Sequence, residues 1–187
     1  MAFTRDFYRQ PTLTVAAQLL GQYLVYHHPQ GTLVGEINEV ESYIGMEDPA
    51  CHAACGPTGR NRIMFGDGGF SYIYLSYGIH YCLNVVTEEA GKPAAILIRG
   101  LIPQEGIAIM RALREKSKPI KNLELTNGPG KICKAYQLTK AQNGLDMTNS
   151  MLTIEPSGKL ITNYQMTPRI GISQAKEKLW RFVYASH

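Results

Sequence analysis

The sequence predicts a mixed α/β fold: a single domain over residues 1–187, with a curved, mostly antiparallel sheet, helices around it and a protruding β-hairpin. Three observations predict it. Between Ser71 and Val86, two runs rich in aromatic and β-branched residues flank Ser76-Tyr77-Gly78, the pattern of a hairpin whose glycine supplies a positive φ. A second strand pair, Tyr23 to His27 and Thr32 to Ser42, flanks the turn His28-Pro29-Gln30-Gly31. Helical signals are short and lie between strands, at Thr14 to Leu20, after Pro103 and at Ile132 to Leu138.

The first helix sets Val15, Ala16, Leu19 and Leu20 on one side and stops at Gly21. The strand after the first turn then carries Glu36, Glu39 and Glu41, with Glu39 and Glu41 on one face that Tyr43 continues. Strands disfavour glutamate, so each needs a reason. A solvated edge is expected for Glu36 and Glu39. Glu41, lodged among Val40, Tyr43 and Ile44, is a candidate for a semi-buried carboxylate with a chemical task.

Glu47 to Gly69 is irregular and rich in glycine and proline, yet it carries His52, Arg60, Asn61, Arg62, Met64 and Phe65. Polar, basic and apolar anchors together point to a loop folded over a site. In the hairpin that follows, Tyr72 and Tyr74 share a face, and His80, Cys82 and Asn84 share one on the second strand. Tyr77 sits at the tip, where no strand can bury it. It reads as a wedge, or as a ring for partner or loop packing.

Ala94 to Arg99 is a short apolar strand ending on an arginine. Pro103 is expected to open a helix, with Glu105 in its first turn, Arg111 and Arg114 in its last, and Ile107, Met110 and Leu113 as its stripe. Asn127-Gly128-Pro129-Gly130-Lys131 precedes the next helix and reads as a phosphate site or as a capped turn. It is not a Walker A loop, since the six-residue glycine frame and the Lys-Ser/Thr pair are absent. Met151 to Glu155, Pro168 to Ile172 and Leu179 to Tyr184 are the remaining extended pieces.

Hydrophobic residues make up 44% and charged residues 18% of the 187, a globular composition. No apolar run approaches the span of a bilayer and the N-terminus lacks a signal-peptide core, so a cytoplasmic, nucleoid-associated protein is expected. The net charge of +4 is only mildly basic. More telling are two clusters, Arg111, Arg114, Lys116, Lys118 and Lys121, then Lys131, Lys134 and Lys140. Cys51, Cys55, Cys82 and Cys133 are scattered. The spacing of Cys51-His52 and Cys55 is wrong for a zinc knuckle and a second ligand pair is missing, so no metal site is expected.

Taken together, Val40-Glu41-Ser42-Tyr43-Ile44-Gly45, Asp48, His52, Arg60-Asn61 and Met64-Phe65 resemble the signature of one family. Tyr72-x-Tyr74-x-x-Tyr77-Gly78, Asn84, Arg99 and the Leu-Thr-Asn-Gly-Pro-Gly-Lys run from Leu125 continue the same resemblance, nearly along the whole chain. The family is the alkyladenine (3-methylpurine) DNA glycosylases. It implies a monofunctional, monomeric enzyme acting on double-stranded DNA that contains damaged purines, in base excision repair, without metal or organic cofactor. By that resemblance Tyr77 would wedge into the minor groove, while Tyr43 and His52 on one side and Tyr74 on the other would sandwich the flipped base. Asn84 would exclude guanine, Glu41 would activate the attacking water, and Arg99 would orient that water and hold Glu41 ionised. Arg60, Gly128, Gly130 and Lys131 would contact the DNA backbone.

Three rival readings stand beside this one. A non-catalytic damaged-DNA-binding protein could use the same wedge and pocket, but it would have no use for Glu41. Gly128-Pro129-Gly130 suggests a helix-hairpin-helix glycosylase, which would be mainly helical. An RNA-modifying enzyme is conceivable because nothing here reads a 2′-hydroxyl.

Overall fold

The computed structural model describes residues 1–114 and 119–185. One antiparallel sheet organises it. Its central path uses β1 (Tyr23–His28), β2 (Gly31–Ile44), β3 (Ser71–Ser76), β4 (His80–Thr87), β5 (Ala94–Glu105) and β6 (Leu152–Glu155), in the spatial order β3-β4-β5-β2-β1-β6. The last strands, β7 (Gln165–Thr167) and β8 (Arg181–Val183), pair with each other, and β8 pairs with the far half of β2. The helices are α1 (Arg5–Tyr8), α2 (Thr12–Leu19), α3 (Ile107–Arg114) and α4 (Pro129–Ala135). None of them is long and apolar enough to cross a membrane. The expected curved, mostly antiparallel sheet with surrounding helices and a projecting hairpin is what the chain forms, and it is not the mainly helical architecture of a helix-hairpin-helix protein.

Local sequence accounts for the elements. Pro11 precedes α2, whose Val15, Ala16 and Leu19 are fully buried, and Gly21 takes φ 80° just beyond its end. Leu24, Ile37, Val40, Ile96, Ile98 and Ile154 from the sheet meet Met110 of α3 and Ile132 and Ala135 of α4 in the main core. Each of the leucine, isoleucine, valine and methionine side chains contributes about 1.5–3 kcal/mol through removal from water. A smaller cluster of Cys51, Ala53, Met64, Tyr72, Val86 and Ala95 anchors the long loop to the other face of the sheet.

Three expectations are corrected. Glu36 and Glu39 are not on a solvated edge, because β2 is interior, flanked by β5 on one side and by β1 then β8 on the other. Glu36 is 4% exposed, bonded to the Tyr184 hydroxyl and to Lys159 Nζ at 2.5 Å. Glu39 is paired with two arginines. Buried carboxylates persist because they are paired. Second, Pro103 does not open a helix. β5 runs on to Glu105, with Pro103 opposite Gly35 at an irregularity in the ladder, where a missing N–H is tolerated. The helix starts only after Gly106, which takes φ 74°. Third, the helix expected over Ile132–Leu138 spans Pro129–Ala135, so Pro129 and Gly130 lie within its first turn. A Cβ on Gly130 would come 2.9 Å from His80 Cβ, so this glycine permits α4 to lie close against β4.

The first basic cluster is partly structural. Arg111 donates to the carbonyl of Ile120 and to Asn122 Oδ1, and Arg114 donates to the carbonyl of Leu125, fastening the connection after α3. Lys116 and Lys118 of that cluster lie outside the described residues.

Candidate active site

Register brings the site together. Opposed residues run across five strands in one row: Arg181 of β8, Glu41 of β2, Leu97 of β5, Asn84 of β4 and Tyr72 of β3. Partners directly across a ladder share a face, and so do residues two apart on a strand. The row therefore carries Tyr43, Ala95, Arg99, Cys82 and Tyr74 on the same face. Over it opens a cavity of about 500 Å³, walled by this face, by His52 and Arg60 of the long loop and by Ile170 to Ser173. Tyr77 stands at its rim. Of the residues singled out in the sequence, Tyr43, His52, Arg60, Tyr74, Tyr77, Asn84 and Arg99 all line it.

Glu41 lies behind this wall, with no exposed surface. Its Oε1 accepts the Ile170 N–H at 2.7 Å, its Oε2 accepts the Tyr43 hydroxyl at 2.8 Å, and Arg99 Nε lies 3.4 Å from Oε1. Burial pushes the Glu41 carboxyl above the usual range. Arg99, the Ile170 N–H and the Tyr43 hydroxyl oppose that, and Glu39 adds to it. The result is a desolvated carboxylate with an enhanced appetite for a proton. Tyr43, raised by its own burial and by Glu41, stays a neutral donor.

His52 and the hairpin tyrosines form one aromatic wall. The His52 ring stands edge-on to Tyr74 with centroids 4.5 Å apart, and its Nδ1 is 2.8 Å from the Tyr72 hydroxyl. No purine fits between rings that close, so His52 and Tyr74 are neighbours on one side, not opposite sides of a sandwich. Tyr43 is the aromatic residue left to face them. Burial, then the charge of Arg60, pushes the His52 imidazole down to about 4, so it is neutral near pH 7. Asn61 holds this loop, donating to the carbonyls of His52 (2.7 Å) and Gly56 (2.9 Å). Asn84 is buried, and its Nδ2 donates to the Tyr72 carbonyl at 3.0 Å, which fixes the amide's orientation.

At the tip Tyr77 is 86% exposed at φ 50°, with its hydroxyl 3.4 Å from the Gly171 carbonyl, and Ile79 beside it is 72% exposed. Gly128, Gly130 and Lys131 lie outside the cavity lining, although Pro129 between them reaches it. Lys131 Nζ is held by Asn127 Oδ1 at 2.7 Å. Of the cysteines near the loop, Cys51 is buried with its Sγ accepting the Ala53 N–H, and the Cys55 thiol donates to the His52 carbonyl. Among the described residues no group of three or more His, Cys, Asp or Glu is arranged to hold a metal ion.

Two arginines were not singled out by the sequence. Arg169 is 4% exposed and forks onto Asp48 through 2.6 Å and 2.8 Å bonds, while also donating to the Ser42 carbonyl. Its guanidinium lies 4.7 Å from the centre of the Tyr43 ring and 5.1 Å from that of Trp180. Burial raises the Asp48 carboxyl, but the Arg169 pair outweighs it and holds the group below its ordinary value. Arg181 binds Glu39 Oε1 at 2.6 Å. A signal for Arg169 did exist: an arginine inside the apolar run Pro168-Arg169-Ile170-Gly171-Ile172 requires a buried acid, and Asp48 was one with no assigned role.

The fold and the site define a protein that can hold a flat aromatic ring system against tyrosine and histidine, with a desolvated carboxylate behind the wall and an apolar finger at the rim. The chain belongs to the methylpurine-DNA glycosylase family, whose family model matches residues 6–187. It is 48% identical over 180 residues to a protein of Ehrlichia chaffeensis named "Putative 3-methyladenine DNA glycosylase", covering 96% of this chain and 91% of that one. Proteins of the same name from Methanocella arvoryzae and from Wolbachia sp. subsp. Brugia malayi are each 48% identical, over 95% of this chain and 90% and 94% of theirs.

Proposed function

We propose that the protein is a monofunctional DNA glycosylase that extrudes alkylated or otherwise damaged purines from duplex DNA and hydrolyses the N-glycosidic bond. The observation that carries this reading is the environment of Glu41: a buried carboxylate directly behind the wall of an aromatic cavity, held by the lining residues Tyr43 and Ile170 and flanked by a third, Arg99.

In this mechanism Tyr77 enters the duplex and offsets part of the unstacking, which costs about a few kcal/mol per step. The extruded base lies between Tyr43 on one side and the His52–Tyr74 pair on the other. A purine nucleotide alkylated at N3 or N7 is cationic, so electron-rich rings hold it by cation–π attraction as well as stacking. Asn84, its amide pinned to the strand, crowds the position of a guanine amino group. Glu41 takes a proton from water as the water oxygen bonds to the anomeric carbon and the bond to the base breaks toward the base nitrogen. The carboxylate also stabilises the oxocarbenium-like transition state, and Arg99 orients the water. A cationic base leaves without a general acid, and no metal or organic cofactor enters the reaction. Lys131, with Gly128, Gly130 and Arg60, meets backbone phosphates, so affinity falls as salt rises. The protein acts as a cytoplasmic monomer on nucleoid DNA.

The test is base release from labelled duplexes bearing 3-methyladenine or 1,N6-ethenoadenine, by wild type and by Glu41→Gln. Release by the wild type, with a mutant that still binds lesion DNA and frees no base, is expected. Tight lesion binding without release by the wild type would replace this reading with a non-catalytic damaged-DNA-binding protein.

A further inference from the structure

Arg99 has two carboxylates to choose from, and it sits closer to the one outside the proposed chemistry. Its Nε donates to Glu39 Oε1 at 2.9 Å and lies 3.4 Å from Glu41 Oε1, beyond the usual N–H···O range. The same Glu39 oxygen accepts Arg181 Nε at 2.6 Å, and Arg181 is anchored in turn by Thr167 Oγ1 at 2.9 Å. Glu39 is therefore a fixed post between two guanidinium groups, 18% exposed.

The backbone is built to set that post. Asn38 on β2 and Arg99 on β5 are the extra residues of two irregularities that shift the β2–β5 register on either side of Glu39. Opposite it lies Gly100, where a Cβ would come 2.6 Å from Asn38 Oδ1 and 3.0 Å from Glu39 Cβ. A side chain there would have to push the Asn38 amide aside and press on Glu39 Cβ, so the glycine eases the close approach of β5, and Arg99 is its immediate neighbour.

We propose that Glu39 is a positioning residue for the hydrolysis, the shared acceptor that aims Arg99 at the water site and keeps it from closing a tight ion pair with Glu41. This rests on the glycosylase reading above. A carboxylate drawn fully onto an arginine is a poor base. One whose arginine is held by a second acid keeps its proton affinity and still has a cation beside the reacting centre. The charged and titratable groups around the pair are Arg99 from β5, Arg181 from β8, Cys82 from β4, Tyr43 from β2 and Arg169, itself paired with Asp48. The negative charge of Glu39 raises the proton affinity of the Glu41 carboxyl.

The direction follows from charge. Glu39→Gln removes a negative charge near Glu41 and frees Arg99 to pair with it, so Glu41 loses its proton at lower pH. The acid limb of the rate profile then moves to lower pH, and the plateau falls about tenfold or more because the arginine is misplaced.

The experiment is single-turnover base release across a pH series, on whichever of the two lesion duplexes the wild type cleaves, with affinity for that duplex measured in parallel. Glu39→Gln is expected to be slower, to show the acid limb displaced downward, and to bind lesion DNA as the wild type does. Glu39→Asp keeps the charge but withdraws it from Arg99, so it is expected to lose rate with the limb displaced downward less than in Glu39→Gln. It also serves if Glu39→Gln does not fold. A limb that superimposes on the wild type in Glu39→Gln, or an unchanged plateau in Glu39→Asp, overturns the proposal. If the wild type itself releases no base, the glycosylase reading fails first, and this inference falls with it.

Discussion

Arg169 and Asp48 form a two-pronged ion pair with no solvent exposure on either side chain, joining the start of the long loop to the segment that carries Ile170. Because Ile170 donates its N–H to Glu41 and Arg169 lies over the Tyr43 ring, this pair fixes two of the carboxylate's three neighbours. Removing one partner strands the other charge in the interior. Asp48→Asn is expected to lower stability by about 3–5 kcal/mol, read from the midpoint of urea unfolding. Arg169→Lys keeps the charge and loses the fork and the stacking, so a smaller loss is expected.

The Tyr43 hydroxyl stabilises the charged form of Glu41. Tyr43→Phe deletes that donor and keeps the ring, so Glu41 holds its proton to higher pH. The acid limb of base release should move up in pH, opposite in sign to the shift expected for Glu39→Gln. A limb that stayed in place would mean the hydroxyl does not bear on the base.

His52 links stability to acid. Its folded value is depressed to about 4 from 6.5, so between those values the unfolded chain binds the proton and the folded one does not. The contribution of this group is constant above about 6.5 and is lost as pH falls toward 4. Urea midpoints measured from pH 7 to pH 4.5 should decline less steeply in His52→Gln than in the wild type. Parallel declines would remove His52 from the account.

The hairpin tip separates stability from function. Tyr77 is 86% exposed and its hydroxyl makes a long contact, 3.4 Å, to the Gly171 carbonyl, so Tyr77→Ala should change stability by about 0.5 kcal/mol or less. Base release from the duplex should fall sharply in the same variant. If release were unchanged, the ring would not be a wedge.

Patterns of short range were legible. The period of two in Ser71 to Val86 and the turn glycine at Gly78, φ 70°, were enough to assign the hairpin and to group Tyr72 with Tyr74 and Cys82 with Asn84, and the register Tyr72↔Asn84 and Tyr74↔Cys82 then put both groups on one face. The oddity of Glu41 among apolar neighbours was also visible. Pro103 misled because its preference for a helix start is local, whereas the β5 ladder, formed with a strand some sixty residues earlier, overrode it. Glu36 and Glu39 misled for a related reason. Their neighbours in the chain do not reveal that β8, from the far end of the sequence, pairs at Glu39 and that Tyr184 just beyond it reaches Glu36.

By itself, then, the sequence determined the main strands but not β7, together with the exposed aromatic tip, the candidate base and the family, because these depend on residue identity and spacing along the chain. Tertiary structure alone decided which arginine serves which acid. Arg99, Arg169 and Arg181 are all cations in apolar surroundings. Only strand register, the bulge at Asn38 and the approach of the 168–173 segment put Arg169 on Asp48 and leave Glu39 shared by the other two. Coulomb attraction selects partners by distance in space, and that distance is a property of the folded sheet.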